Sequence, residues 1–361
     1  MPDIKIQNLT KVYEESGNEI VAVDDVNLTI ADGEFVTLVG PSGCGKTTTL
    51  RCVAGLNKPT SGKIVFGDRD VTDKPVQERN IALLFQDIAL YPHMSVQENM
   101  AYGLKIVGFS REERIARVEE AAELLQITDQ LEKMPADLSG GQQQRVALGR
   151  SLVRDPEVFL FDEPMSDLDA KLKAELRPVI EKVTDEIGCP TLYVTHDQEE
   201  AMTMSDRVAV INDGELEQVA PPKEIYDEPE TAFVSQFIGQ PSTQFFDGRV
   251  TSVNGTAELA IGDYRYQVAR DGLEGWDGDE IRVGLRPQYI TVSEDPEAGI
   301  PATHLLDEPL GDATHSFFET EFGEIVVVTD PDFEGGGDEY GLVLQPEYTR
   351  LFDVRSGVRI G

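Results

Sequence analysis

The sequence predicts an α/β domain with a helical insertion, followed by an all-β domain. Three observations carry that reading. Gly40-Pro41-Ser42-Gly43-Cys44-Gly45-Lys46-Thr47 is a glycine loop set between an apolar run, Phe35–Val39, and a helical start at Thr48. Further apolar runs at 80–85, 158–161 and 191–194 end in polar residues, as parallel strands of an open α/β sheet do. Beyond about residue 240 helical periodicity vanishes, and short alternating segments split by Gly, Asp and Pro take over.

Ile4, Ile6 and Leu9, then Val21, Val23, Val26, Leu28 and Ile30, alternate in strand fashion, and Asp32-Gly33 supplies the turn into the next strand. Tyr13 ends the first strand; it is either a half-buried strand aromatic or a ring for stacking on adenine. In the glycine loop, backbone N–H groups can turn inward around a polyphosphate, and the helix that follows adds its positive dipole end. Lys46 can reach the β- and γ-phosphates, and the Thr47 hydroxyl can ligate Mg²⁺. Residues 61–67 read as a strand between turns, and the strand at 80–86 ends in Gln86, an amide placed to face a ligand.

Residues 96–134 form the helical insertion, with helices at 96–106 and 112–125 and Met134-Pro135 closing the second. Leu138-Ser139-Gly140-Gly141-Gln142-Gln143-Gln144-Arg145 precedes a helical run at 146–153. Ser139 is its N-cap, and Gly140-Gly141 opens either a plain helix start or a second anion-binding helix N-terminus. The run at 158–161 ends in Asp162-Glu163. Adjacent carboxylates at the end of a buried strand are costly unless they serve a metal or a reaction. Asp162 suits Mg²⁺, and Glu163 suits orienting and deprotonating a water. A loop at 166–169 leads into a helix at 170–187, kinked at Pro178. The strand at 191–195 ends in His196-Asp197, where His196 is expected to face a γ-phosphate. A last strand at 207–211 turns at Asp213-Gly214. In the second domain, segments at 249–253, 264–268, 281–285, 289–292, 324–328 and 340–344 predict a small barrel or sandwich, with Gly335-Gly336-Gly337 at a loop tip.

Composition narrows the function. The 361 residues carry a formal net charge of −36, spread along the chain, and such a polyanion repels nucleic acid. No lysine follows residue 241, and diffuse acidity with little lysine suggests a surface adapted to high salt. Cys44, Cys52 and Cys189 have no metal spacing and suit a reducing compartment. No apolar run is long enough to cross a bilayer and no signal peptide precedes the first strand, so the chain is expected in the cytosol, with any membrane role through a partner.

Taken in order, these motifs resemble the ATP-binding subunits of ABC transporters, a P-loop NTPase family, over nearly the first 240 residues. The glycine loop matches Walker A, Gln86 the Q-loop, Leu138-Ser139-Gly140-Gly141-Gln142 the signature and residues 158–162 Walker B. Glu163 matches the catalytic carboxylate, residues 166–169 the D-loop, His196 the H-loop and Tyr13 the adenine-stacking aromatic. A narrower likeness is to carbohydrate importers of the maltose and glycerol-3-phosphate type. It rests on Ala89-Leu90-Tyr91-Pro92-His93, residues 139–145 and 193–202, and Val283-Gly284-Leu285-Arg286-Pro287, similar to a motif of their OB-like (TOBE) regulatory domain.

The resemblance implies an ATP-binding domain at 1–237, its helical part at about 88–155, and an OB-like regulatory domain at 238–361. It implies catalysis by Glu163, His196 and Lys46, and Mg²⁺ held through Thr47, Gln86 and Asp162. ATP would be bound by Tyr13, by Gly40 through Thr48, by Gln86 and Asp162, and by Ser139, Gly140, Gly141 and Gln142 of a second copy. The partners implied are a second identical or closely related ATPase, two transmembrane permease subunits and an extracellular solute-binding protein, at the cytoplasmic face of the membrane. A sugar is the first expectation for the solute; a polyamine, metal ion or oxyanion is the alternative. A soluble ABC ATPase acting on DNA or ribosomes predicts basic patches or a second nucleotide domain, and the sequence has neither. A non-hydrolysing regulatory module predicts loss of Glu163 or His196, and both are present.

The charge makes a prediction of its own. Repulsion among carboxylates is screened within about 3 Å at molar ionic strength. The melting temperature should therefore rise between low and molar KCl. A flat or falling melting curve series would remove the high-salt reading.

Overall fold

The computed structural model describes residues 1–15, 17–85, 90–253, 256–268, 276, 278–336 and 339–360. The chain divides into two compact units, Met1–Lys223 and Glu224–Gly361.

The strands of the first unit are β1 (Ile4–Glu15), β2 (Asn18–Ile30), β3 (Phe35–Val39), β4 (Ser61–Phe66), β5 (Arg69–Asp70), β6 (Ile81–Leu84), β7 (Val158–Asp162), β8 (Thr191–Thr195), β9 (Arg207–Asn212) and β10 (Glu215–Ala220). Its helices are α1 (Lys46–Ala54), α2 (Val96–Ile106), α3 (Arg111–Leu124), α4 (Gly140–Leu152), α5 (Ala170–Ile187) and α6 (Gln198–Met204). A six-stranded sheet runs in the order β10-β9-β3-β8-β7-β6, all parallel except β10. A four-stranded antiparallel sheet runs β2-β1-β4-β5.

Every residue of β3, β7 and β8 is buried, which explains their mostly apolar character. Side-chain alternation divides them between two cores. Val36, Leu38, Leu160 and Val194 pack with β1, β2, β4 and α1, whereas Phe35, Phe159, Phe161 and Tyr193 pack with the helices α2 to α5. Two sequence expectations change here. Helix α3 ends at Leu124, close to the expected 125, but Met134-Pro135 is not what closes it: Gln126 takes a left-handed φ of 57°, and short 3₁₀ turns at Thr128–Gln130 and Pro135–Asp137 carry the chain onward. Val21 is 49 % exposed, because register shifts in the β1–β2 pairing break the alternation that began at Ile4.

Helix α7 (Pro222–Asp227) lies at the division between the units, and α8 (Ala232–Phe237) follows. This division lies ahead of the 237/238 boundary that the resemblance implies. The reason is a set of bonds from the strand-rich region: Arg286 donates to the Tyr226 and Ile238 carbonyls, Arg350 to the Asp227 carbonyl, and the Arg359 amide to Glu230.

The second unit's strands are β11 (Gln244–Val253), β12 (Thr256–Ile261), β13 (Tyr264–Val268), β14 (Glu280–Leu285), β15 (Ile290–Ser293), β16 (Ile300–Pro309), β17 (Thr314–Thr320), β18 (Gly323–Thr329), β19 (Tyr340–Leu344) and β20 (Arg350–Asp353). They make two five-stranded sheets, β13-β12-β11-β14-β20 and β15-β19-β16-β17-β18, around one core that includes Phe246, Val283, Phe318 and Leu342. The all-β expectation holds. Of the expected loop tip, Gly335 packs against the His304 ring, and Gly337 lies outside the described residues.

One buried cation braces the first unit. Arg79 is 1 % exposed and donates to the carbonyls of Cys52 and Val53 at the C-terminal end of α1, and to those of Thr72 and Lys74. The Cys52 carbonyl also accepts the Gly55 N–H at 3.0 Å, whereas Val53 lies in the last turn beyond the reach of the helix ladder, and the helix dipole favours a cation there. Arg79→Met should leave the Val53 carbonyl without its donor while Cys52 keeps the Gly55 N–H, and should cost about 1–3 kcal/mol, the cost of an orphaned buried polar group. The denaturant midpoint of the first unit measures it, and a shift worth under about 0.5 kcal/mol would show the carbonyls re-satisfied.

Candidate nucleotide site

Parallel pairing sets the level of the site. Val39 pairs with Thr195, and Asp162 with Val194. The residues that follow these strands (Gly40, Glu163 and His196) therefore leave the sheet side by side at its C-terminal edge, where open α/β sheets bind ligands.

The loop after β3 is close-packed. A Cβ on Gly40 would lie 2.1 Å from the Ile211 carbonyl oxygen, and one on Gly45 would lie 2.3 Å from that of Ala22. Gly45 also has φ of 105°, a conformation open to glycine, and it caps α1 without a side chain. The first turn of α1 has no acidic residue. Lys46, 4 % exposed, donates to the carbonyls of Gly40 and Pro41 at 2.8 Å each, with Cys44 Sγ 3.8 Å away. A buried ammonium held by neutral carbonyls, beside backbone amides at a helix N-terminus, is an arrangement suited to an anion.

The next residue joins two motifs. Thr47 Oγ1 donates to Asp162 Oδ1 at 2.9 Å, and Arg51 Nε lies 3.8 Å from the other oxygen. Burial holds the Asp162 carboxyl above its ordinary value; the Thr47 bond and Arg51 pull it down, while the Glu163 charge pushes it up. Glu163 follows with a left-handed φ of 47°, rare for a residue with a side chain. That turn is pinned by its N–H to the Val194 carbonyl at 2.9 Å and by Ser166, whose Oγ donates to the Glu163 carbonyl at 3.1 Å. It brings Glu163 Oε2 to 2.8 Å from His196 Nδ1. Lys46, Thr47, Asp162, Glu163 and His196, expected from sequence as separate motifs, thus form one constellation.

The signature residues make none of these contacts. Ser139 caps α4 in a reciprocal box: its Oγ accepts the Gln142 N–H at 3.4 Å and its N–H donates to Gln142 Oε1 at 3.0 Å. The groove beside Ser139, Gly141 and Gln142 is lined by Arg145, Leu172 and Glu175, and by no residue of the glycine loop. Tyr13 is 38 % exposed; its hydroxyl accepts from Asn57 at 2.8 Å and the Lys11 ammonium sits 4.8 Å from its ring centre. Gln86 lies outside the described residues. Sequence reasoning missed Arg51 and Gln144, which donates to the Pro164 carbonyl next to Glu163. Neither has a local signal, since each acts across the sequence gap that only the fold closes.

The model of the family described as "ABC transporter" matches residues 23–166. A xylose/arabinose import ATP-binding protein (XacK) of Haloferax volcanii is 51 % identical, over 99 % of this chain and 95 % of its own length. The chain belongs to the ABC transporter family. An sn-glycerol-3-phosphate import ATP-binding protein (UgpC) of Escherichia coli is 41 % identical over the whole of both chains. Among solved structures, the dimeric cassette MJ0796, described as a bacterial ABC transporter cassette, is 34 % identical with a TM-score of 0.55, covering 61 % of this chain and 98 % of that one. The same cassette has been solved as a dimer with ADP and phosphate, at a TM-score of 0.54. This protein is accordingly an ABC-type ATPase that binds ATP, and its α/β unit has the fold of that family. Among its described residues, no helix is long and apolar enough to cross a membrane.

Proposed function

We propose that this ATPase powers an importer for a sugar or sugar-like solute, glycerol-3-phosphate included. One observation carries the catalytic part. A buried ammonium, a hydroxyl–carboxylate pair and a glutamate–histidine pair converge at the ends of three neighbouring parallel strands. Full-length similarity to import ATP-binding proteins supports the transport part, and the solute class follows theirs.

In this reading the glycine-loop amides and Lys46 hold the β- and γ-phosphates, with Thr48 beside them and Tyr13 stacked on adenine. His196 contacts the γ-phosphate. Glu163 orients a water and accepts its proton as the water oxygen bonds to the γ-phosphorus and the bond to the bridging oxygen breaks. Thr47 and Asp162, with Gln86, would hold Mg²⁺. The donor set fits a hard cation: a buried carboxylate and a hydroxyl, with phosphate oxygens completing the shell. When bound, Mg²⁺ neutralises charge on the phosphate oxygens. Ser139, Gly140, Gly141 and Gln142 of a second, identical or closely related copy close over the same ATP. The dimer drives two transmembrane permease subunits from the cytoplasmic face of the membrane, a solute-binding protein supplies the solute outside, and no nucleic acid takes part.

Glu163→Gln tests the chemistry. It keeps the shape of the side chain and removes the base. Phosphate release should fall about 100-fold or more, while ATP still binds and an ATP-dependent dimer accumulates on size exclusion. Turnover near wild type would take Glu163 out of the mechanism.

Mixing two inactive variants tests the shared site. Lys46→Ala removes the phosphate clamp and Ser139→Arg blocks the signature. A mixed dimer has one site with both lesions and one with neither, so equal mixing should leave about a quarter of all sites intact. Recovered hydrolysis toward that fraction is expected. No recovery, together with no ATP-dependent association, would mean that each chain works alone.

A further inference from the structure

His196 sits between two residues whose side chains are tied into one buried network. Thr195 Oγ1 donates to Glu200 Oε2 at 2.8 Å and accepts the Asp197 N–H at 3.0 Å. Asp197 Oδ1 caps α6 by accepting the N–H groups of Glu199 and Glu200, at 3.0 and 3.3 Å. Glu200, 2 % exposed, also accepts the Tyr193 hydroxyl at 2.8 Å. The backbone on either side of His196 is therefore set by Asp197 and Glu200, two carboxylates packed close together.

One cation reconciles them. Lys173 Nζ lies 2.7 Å from Asp197 Oδ2 and 3.1 Å from Glu200 Oε1. Burial pulls the Lys173 pKa down, but the two carboxylates outweigh it and hold the pKa above its ordinary value, so the ammonium stays charged. Arg177 makes its ion pair with Glu199, whose side chain is 70 % exposed, and feels Asp197 and Glu200 only as more distant charges, so Lys173 is the cation in contact with both. Removing one partner of a buried ion pair leaves an uncompensated charge, and the backbone around it shifts to reach water or another donor.

Lys173 also comes from the other side of the site. It stands in the first turn of α5, where its N–H donates to the carbonyl of the N-cap Asp169 at 3.0 Å. Asp169 ends the loop that starts at Glu163, and Ser166 in that loop holds the Glu163 carbonyl. The path from Glu163 through the loop to Lys173, across to Asp197 and back through His196 to Glu163 closes on itself at the 2.8 Å Glu163–His196 contact.

We propose that Lys173 is a positioning residue for hydrolysis: by bridging Asp197 and Glu200 it sets the backbone of His196 and so the His196–Glu163 pair. The inference rests on the roles given to those two residues above. Lys173 touches no reacting atom, so its removal should lower the rate of the chemical step and leave ATP binding alone.

The test uses the full chain. Lys173→Met should lower kcat about tenfold to a hundredfold, the range for a catalytic group displaced by about 1 Å, with the KM for ATP unchanged. Lys173→Arg, which can reach both carboxylates, should keep most of the activity. Glu200→Gln, which keeps an acceptor for Tyr193 and Thr195 but loses the charge facing Lys173, should fall in the same way; it carries the test if Lys173→Met does not fold. In a His196→Ala background, Lys173→Met should cost nothing further in single-turnover phosphate release, because both changes remove the same contribution. Multiplied losses in that double variant, an Arg variant as impaired as the Met one, or wild-type kcat in Lys173→Met or Glu200→Gln would each overturn the inference. His196→Ala turning over at the wild-type rate would instead overturn the reading of the site itself.

Discussion

The parallel strands β3, β7 and β8 are covered on both faces, and that burial governs where polar chemistry can go. Their side chains belong to two cores at once, so a charged group along their length would be stranded in hydrocarbon. In these three strands a charged residue occurs only at a strand end, Asp162, and parallel pairing brings the three C-terminal ends to one level. The short reach of Thr47 to Asp162 and of Glu163 to His196 follows from that alignment. Glu163 alone needs a further device, the left-handed turn that lifts it out of the line of β7.

Two kinds of support surround this edge. From below, α1 presents its amide end to the glycine loop, while Arg79 closes its carbonyl end, so both ends of one short helix are committed. From the side, α5 and α6 are joined through Lys173, Asp197 and Glu200. The glycine loop depends on the first kind of support, and His196 on the second.

Much of this was legible in the sequence because local signals and tertiary demands agree. Val96–Ile106, Ala170–Ile187 and Thr191–Thr195 fall where periodicity, caps and apolar runs put them, and Ser139 is the N-cap it was expected to be. The misses have physical causes. Strands β16 and β20 lack a clean alternation, and β17 alternates but buries Thr314, Ser316 and Thr320 beside Phe318, so no apolar pattern marks it; β16 is exposed along its second half and exists through its partners β17 and β19. That α3 closes at the left-handed backbone of Gln126 and not at Met134-Pro135 is something no apolar pattern encodes. Arg79 and Lys173 belong to no sequence motif, since their carbonyl and carboxylate partners lie on other elements. The candidate site was readable residue by residue, but the gap between the signature residues and the glycine loop was visible only in three dimensions.

The division of the chain at Lys223/Glu224 coincides with a chemical border. The second unit contains no lysine, and its bases are arginines. Primary amines therefore occur only in the ATPase unit. Reagents that couple to amines will label or crosslink that unit alone, and a protease that cleaves after lysine will release Glu224–Gly361 without cutting within it. The two halves of one polypeptide can be marked and followed separately with no tag added.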